Sequence, residues 1–173
     1  MESIFGKLNT ESHWYALTTR NRHEKKVHER LIQKQVNTYL PLYETIKHWS
    51  DRKKRVTEPL FSCYLFVNIT LKDRMSVLQT DGAVRLVTFN NVPVPIPPEQ
   101  IDAIRIMMQE KLKIQHESFL TIGQHVEVMH GPLKGMRGIL IQKKGQSRFV
   151  IAIDGIRQAI SVEIDSELVE RIQ

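Results

Sequence analysis

Leu60-Phe61-Ser62-Cys63-Tyr64-Leu65-Phe66-Val67-Asn68-Ile69 is the most apolar stretch of this 173-residue chain. Its aromatic and aliphatic content predicts a central β-strand over 60–69. Alternation along a strand puts Tyr64 and Phe66 on one face and Leu65 and Val67 on the other. Covered on both faces, these side chains are core. With one face uncovered, they form a protein-binding patch. The residues alone leave both readings open. The same run holds the sole cysteine, Cys63, whose apolar setting suggests an inert thiol. One cysteine excludes an intrachain disulfide and a cysteine-rich metal cluster.

On the N-terminal side, Trp14–Thr19 reads as a strand. Asn21, with Glu24 three residues later, has the spacing of a capping box and predicts a helix start. Val27, Leu31 and Ile32 then supply an apolar side, and the helix is expected to run to about Gln35. Thr38–Tyr43 and Glu44–His48 look extended. Ser50-Asp51-Arg52-Lys53-Lys54-Arg55 has no apolar member and reads as an exposed loop between strands.

On the C-terminal side, Asp73–Gln79 suggests a short helix ended near Gly82, and Val84–Phe89 a short strand. The prolines of Val92–Pro98 exclude regular helix there. A helix is expected directly afterwards, with Ile101, Ile104, Met108 and Leu112 on one buried stripe. Residues 111–121 are polar and read as a linker. From Gly123 the pattern changes. Val126/Val128, Ile139/Ile141, Phe149/Ile151/Ile153 and Ile160/Val162 alternate, with glycines at 131, 135, 138, 145 and 155 between them. Such short alternating strands in about 50 residues predict a small β-barrel.

Composition narrows the function classes. Hydrophobic residues make up 41% of the chain, so a packed core is expected. The net charge of +6 and the pI of about 9.5 favour phosphate-bearing partners. The N-terminus lacks the features of a secretory signal. No apolar run approaches the ~18 residues of a membrane helix. A cytoplasmic protein without membrane contact is therefore expected. No phosphate-binding glycine loop, nucleophile elbow or dinucleotide fingerprint occurs. His23 and His28 would stand ~140° apart around a helix and cannot share a metal. An enzyme is not expected, nor a metal site, nor any cofactor.

Three basic regions stand out. Arg22, Lys26, Arg30 and Lys34 recur every fourth residue and would form a ridge along the first helix. Each like-charge pair costs ~0.2–0.5 kcal/mol, which a bound phosphate backbone would relieve. A solvated charged face is the alternative. Arg52, Lys53, Lys54 and Arg55 form a second cluster with Lys47 and Trp49 nearby. It suits phosphates, with Trp49 placed to stack on a base, or else serves as a solubilising tip. The third is Lys134, Arg137, Lys143, Lys144 and Arg148, in a segment without acids between Val128 and Ile153. Asp154, Glu163, Asp165, Glu167 and Glu170 follow it, so a basic loop face on the barrel is one expectation.

Two passages resemble the NusG family of transcription elongation factors. One is Trp14-Tyr15, a helix, Tyr39-Leu40-Pro41, then Glu58-Pro59-Leu60-Phe61-Ser62-Cys63-Tyr64-Leu65-Phe66-Val67. The other is Gly123–Gly138, which is similar to the KOW motif with its Gly131-Pro132 turn. Pro93-Val94-Pro95-Ile96 fits the end of the family's first domain. The resemblance implies an α+β fold: an N-terminal NGN domain (antiparallel sheet flanked by helices) over 12–112, a linker over 113–120, and a C-terminal SH3-like KOW β-barrel over 121–173.

It also implies a monomer that docks the clamp helices of RNA polymerase and touches non-template DNA. Polymerase-binding positions would be Tyr15, Phe61, Tyr64, Phe66 and Phe89. DNA-facing positions would be Arg20, His23, Lys26 and Arg30, overlapping the ridge that includes Arg22. In the barrel, Leu133, Lys134, Met136 and Arg137 would meet a ribosomal protein or Rho. Two departures matter: Ser62-Cys63 stands where the family has Pro-Gly, and Leu133 replaces an aromatic residue. The chain resembles the specialised antiterminators of the RfaH and UpxY type, which act on polysaccharide operons. A general NusG elongation factor and a ribosome- or RNA-binding KOW protein are the alternatives.

Overall fold

The computed structural model describes residues 8, 10–48 and 53–172. The chain divides into two compact units, Met1–Ile96 and Pro97–Gln173.

The first unit is built on strand β1 (His13–Thr19). Helix α1 (Glu24–Gln33) follows, then β2 (Asn37–Tyr39), β3 (Leu42–His48), β4 (Lys53–Pro59) and β5 (Tyr64–Ile69). A short helix α2 (Arg74–Leu78) leads to β6 (Ala83–Leu86). The two-residue strands β7 (Thr88–Phe89), β8 (Val92–Pro93) and β9 (Pro95–Ile96) complete it. The main sheet has the order β2-β5-β1-β6, with β9 also paired to β1. Tyr15 lies opposite Val67, Ala16 opposite Phe66 and Leu17 opposite Leu65. Because side chains alternate, one face of this pair carries Tyr15, Leu17, Leu65 and Val67. That face packs in one core with Val27 and Leu31, the apolar side of α1.

The expected strand over 60–69 is shorter than the apolar run. Leu60–Cys63 form a turn, and β5 begins at Tyr64. Leu60 and Phe61 are apolar because they are buried in that turn, not because they extend the strand.

Helix α1 begins without the expected capping box. His23 is its N-cap and no side chain caps it. Glu24 is buried instead, and its carboxylate accepts the Cys63 backbone N–H at 2.7 Å. Cys63 is left-handed, at φ 65°. The Glu24 bond thus fixes the turn in a conformation that a side chain disfavours by about 1–2 kcal/mol. Cys63→Gly keeps the N–H and removes that penalty. It is expected to leave stability unchanged or raise it by up to ~1 kcal/mol in urea unfolding. A loss above 1 kcal/mol would show that the thiol's packing matters more than the backbone.

The helix ends in a Schellman turn. Gln35 adopts φ 59°, its N–H reaches Ile32 O and the Val36 N–H reaches Leu31 O.

The second unit opens with α3 (Pro98–Gln109). Its buried residues are Ile101, Ala103, Ile104 and Met107. Leu112 is not on the helix. Lys111 takes φ 51°, and the Leu112 N–H bonds Met107 O in a second Schellman turn. Leu112 keeps the apolar spacing because that turn folds it back toward the preceding helical turn.

The remaining strands are β10 (Gln115–Glu117), β11 (Gln124–Val128), β12 (Arg137–Lys143), β13 (Gln146–Ile153), β14 (Gln158–Glu163) and β15 (Val169–Arg171). They form an antiparallel sheet in the order β10-β14-β13-β12-β11-β15. The expected linker therefore contains β10, paired to β14. Phe149, Val150, Ile151, Ile153, Ile160 and Val162 are buried. Gly138 packs so closely that a Cβ there would strike Val150 O and lie 2.7 Å from the Phe149 ring.

Candidate nucleic-acid interface and aromatic face

The cationic ridge expected on α1 is divided by its surroundings. Arg22 precedes the helix and is left-handed at φ 62°. Arg30 Nη1 donates to Asp81 Oδ2 at 2.7 Å and to Asp81 O at 2.6 Å. Arg20 Nη1 reaches Asp81 Oδ1 at 3.3 Å. Lys34 Nζ donates to Ser76 O and Thr80 Oγ1, each at 2.9 Å. Arg30 on α1 and Lys34 at its C-cap therefore tie that helix to α2 and to the segment joining α2 and β6. Arg22 and Lys26 are exposed, and neither pairs with another group among the described residues. His23 is half-buried, with Nδ1 3.0 Å from Asn21 O.

His28 faces the other way. Its Nδ1 is 3.3 Å from Thr38 Oγ1, and that hydroxyl donates to Phe66 O at 3.0 Å. The hydroxyl proton being committed, the imidazole must donate from Nδ1. Burial pushes the His28 ring below its ordinary value, against the opposing charge of Glu29. It fastens the helix to β2 and β5.

The second cluster is not a loop. Lys53, Lys54 and Arg55 are exposed residues of β4. Arg52 and Trp49 lie outside the described residues. Among the described residues, strands β3 and β4 pair only with each other. Lys25 Nζ donates to Thr57 O at 2.7 Å, tying α1 to the base of this ribbon. Asn21, Arg22, Lys25, Tyr43, Thr57 and Ser62 line a cleft of about 560 Å³ beside that tie.

The expected aromatic site is also split. Tyr15 is fully buried on the α1 side of the sheet, and burial pushes its phenol above the ordinary value. Phe66 lies on the opposite face. Phe61 meets it edge-on at 5.9 Å, and Tyr39 stacks at 6.4 Å. Phe61 and Phe66 are 1% and 0% exposed, so neither presents a contact surface in this state. Tyr64 is half-buried on the same strand face, while Phe89 is 72% exposed. Phe89 sits at the mouth of the β7–β8 hairpin, whose turn residues Asn90 and Asn91 have φ 48° and 63°. Alternation identified the faces of β5, but it carries no information about what covers each one.

In the C-terminal unit, Leu133 is buried at 4% exposure and fills the interior rather than offering a contact. Gly131 and Gly135, both left-handed, hold its turn, with Lys134 N–H on Gly131 O and Gly135 N–H on Val128 O. Lys134 and Arg137 are exposed and Met136 is half-buried. Arg137 Nε donates to Glu127 Oε2 at 2.9 Å.

Arg148 departs from the expected basic face. It is 3% exposed, donates from Nε to Ser161 Oγ at 2.8 Å and from Nη2 to Ser161 O at 3.0 Å and Lys113 O at 3.4 Å. Ser161 Oγ in turn donates to Glu117 Oε1 at 2.8 Å, and Lys143 Nζ reaches both Glu117 oxygens at 3.0 and 2.9 Å. Burial alone would push the Glu117 carboxyl up. The bonds from Lys143 and Ser161, with the charges of Lys143 and Arg148, outweigh it and hold Glu117 below its ordinary value. This network fastens β10 onto β14. Nothing in the sequence marked it except the pairing of a lone basic residue with an apolar run at 148–151.

Among the described residues no group of three or more His, Cys, Asp or Glu side chains is placed to hold a metal, and no helix is long and apolar enough to cross a membrane.

A family model described as transcription termination factor nusG matches residues 12–105. The transcription termination/antitermination protein NusG of Halalkalibacterium halodurans is 23% identical over 177 residues, covering 94% of this chain and 99% of that protein. A solved structure of domain interaction in Thermotoga maritima NusG aligns with a TM-score of 0.56 at 19% identity, over 95% of this chain and 99% of that one. This last likeness concerns the fold: helices with antiparallel sheet in the N-terminal region, and a β-rich C-terminal domain.

Proposed function

The chain belongs to the NusG family of transcription termination and antitermination factors, and from that premise we propose that it is an operon-selective antiterminator. It binds the clamp helices of RNA polymerase with its N-terminal unit and contacts non-template DNA through the start of α1. It suppresses pausing by favouring the closed clamp, to the extent that it binds that state better than the open one.

The observation that carries the DNA contact is the pair of uncommitted, exposed cations Arg22, which lines the cleft with Asn21 and Lys25, and Lys26 in the first turn of α1. Arg20, His23 and Arg30 border them. Arg20 and Arg30 share Asp81, so their charge is partly neutralised and they act chiefly as supports. For polymerase, Tyr64 and Phe89 are the reachable aromatic groups. Phe61 and Phe66 join them only if their face is uncovered. Tyr15 supports β5 from behind.

The barrel, residues 121–173, offers Lys134, Met136 and Arg137 to a ribosomal protein or Rho. Leu133, being buried, takes no direct part. The absence of an aromatic side chain at that turn favours a specialised factor over a general one.

Core polymerase pull-down and transcription through a pause site test the reading together. Tyr64→Ala is expected to weaken polymerase capture at least fivefold while circular dichroism is unchanged. Lys26→Glu is expected to keep capture and lose most of the antipausing effect. Unchanged capture by Tyr64→Ala removes the clamp assignment. Full antipausing by Lys26→Glu removes the α1–DNA contact.

A further inference from the structure

The β3–β4 ribbon carries its cations far from the rest of its unit. Seven residue pairs join the strands, from Leu42 opposite Pro59 to His48 opposite Lys53. At about 3.4 Å per residue, Arg55 lies ~14 Å and Lys53 ~20 Å beyond the base at Pro59. The acids of the described ribbon, Glu44 and Glu58, stand nearer the base, opposite Thr57 and Tyr43. Residues 47–55 hold Lys47, Arg52, Lys53, Lys54 and Arg55 against the single acid Asp51. Alternation sends Lys53 and Arg55 to one face of β4 and Lys54 to the other. All three are exposed.

A cationic surface for a single strand needs charge on one face. Charge on both faces of a narrow ribbon suits a slot with phosphates on either side. A B-form DNA major groove, ~12 Å wide between two phosphate backbones, admits a two-stranded β-ribbon. The A-form RNA major groove is too narrow and deep for this entry.

We propose that the β3–β4 ribbon is a second nucleic-acid surface, which enters the major groove of duplex DNA and grips both phosphate backbones through Lys54 on one face and Lys53 and Arg55 on the other. The site is separate from the start of α1 and does not depend on the reading given there. Lys25, on Thr57 O, holds the ribbon's base while Lys53, Lys54 and Arg55 engage DNA.

The test is fluorescence anisotropy of the full chain with a 30-base-pair duplex and with one of its strands, across a salt series. Lys53→Gln/Lys54→Gln/Arg55→Gln is expected to flatten the slope of log K against log salt on duplex by ~2.7, at ~0.9 per phosphate contact. Lys54→Gln alone and Lys53→Gln/Arg55→Gln are each expected to weaken duplex binding, by ~0.9 and ~1.8 in slope. Single-strand affinity should change less than twofold. These exposed positions leave the fold intact, which circular dichroism checks. An unchanged duplex slope in the triple variant overturns the proposal. So does an equal loss on single strand, an effect confined to one face, or lost polymerase capture with duplex binding intact. Lys26→Glu, run alongside, reports on α1 alone: its failure to affect single-strand binding would leave the ribbon result standing.

Discussion

Glu117→Ala is expected to destabilise the C-terminal unit by about 3 kcal/mol. The side chain is 8% exposed and balances Arg148, whose side chain is 4% exposed. Removing one member of a buried ionic group leaves the other uncompensated, typically at a cost of about 3–5 kcal/mol. The lower end applies because Arg148 keeps Ser161 Oγ, Ser161 O and Lys113 O as acceptors. Lys143→Ala is the control. Its side chain is 42% exposed, so its loss should cost no more than about 1 kcal/mol. Urea unfolding followed by far-UV circular dichroism measures both. Hydrogen exchange at His116 and Glu117 should accelerate in Glu117→Ala, since β10 then loses its Glu117 anchor. Equal effects from the two variants would show that the network is no more than a surface ion pair.

The same network sets an acid limit. Glu117 titrates below its unfolded value, so the unfolded chain takes up the proton first as pH falls. Its contribution is complete above the unfolded carboxylate value near ~4.3 and is lost as pH falls through the folded value. The wild type should therefore lose stability more steeply than Glu117→Gln on acidification below about pH 4.

Phe66→Ala is expected to cost the N-terminal unit about 3–5 kcal/mol, and Phe89→Ala less than about 0.5 kcal/mol. Phe66 is fully buried between Phe61 and Tyr39, so truncation leaves a cavity that the sheet cannot close. Phe89 is 72% exposed at a hairpin mouth, so little packing is lost with it. The contrast bears on function. A polymerase defect in Phe66→Ala would be inseparable from unfolding, whereas a defect in Phe89→Ala at unchanged stability identifies a contact. If Phe66→Ala costs less than 1 kcal/mol, its face is far more loosely packed than the burial indicates.

Much of the fold was legible because burial leaves a period. Val27 and Leu31 marked the inner side of α1, and Leu65 and Val67 one face of β5. Phe149, Ile151 and Ile153 marked β13 by alternation. Lys53–Arg55 were misread as loop for the converse reason. A free ribbon buries neither face, so its strand has no apolar period to read. β10 was missed likewise, since Gln115 and His116 are exposed and only Glu117 turns inward.

The residue order by itself determined two folded regions, the positions of the central strand and first helix, and a basic character suited to phosphates. Tertiary structure alone decided which cations remain uncommitted. Arg30, Lys34 and Arg148 have the same charge in sequence as Lys26 and Lys54. Asp81, Thr80 and Ser161, 46 to 51 residues away from the first two and 13 from the third, claim them. A charge's availability depends on the partners that folding brings within 3 Å, and no local pattern records such a partner.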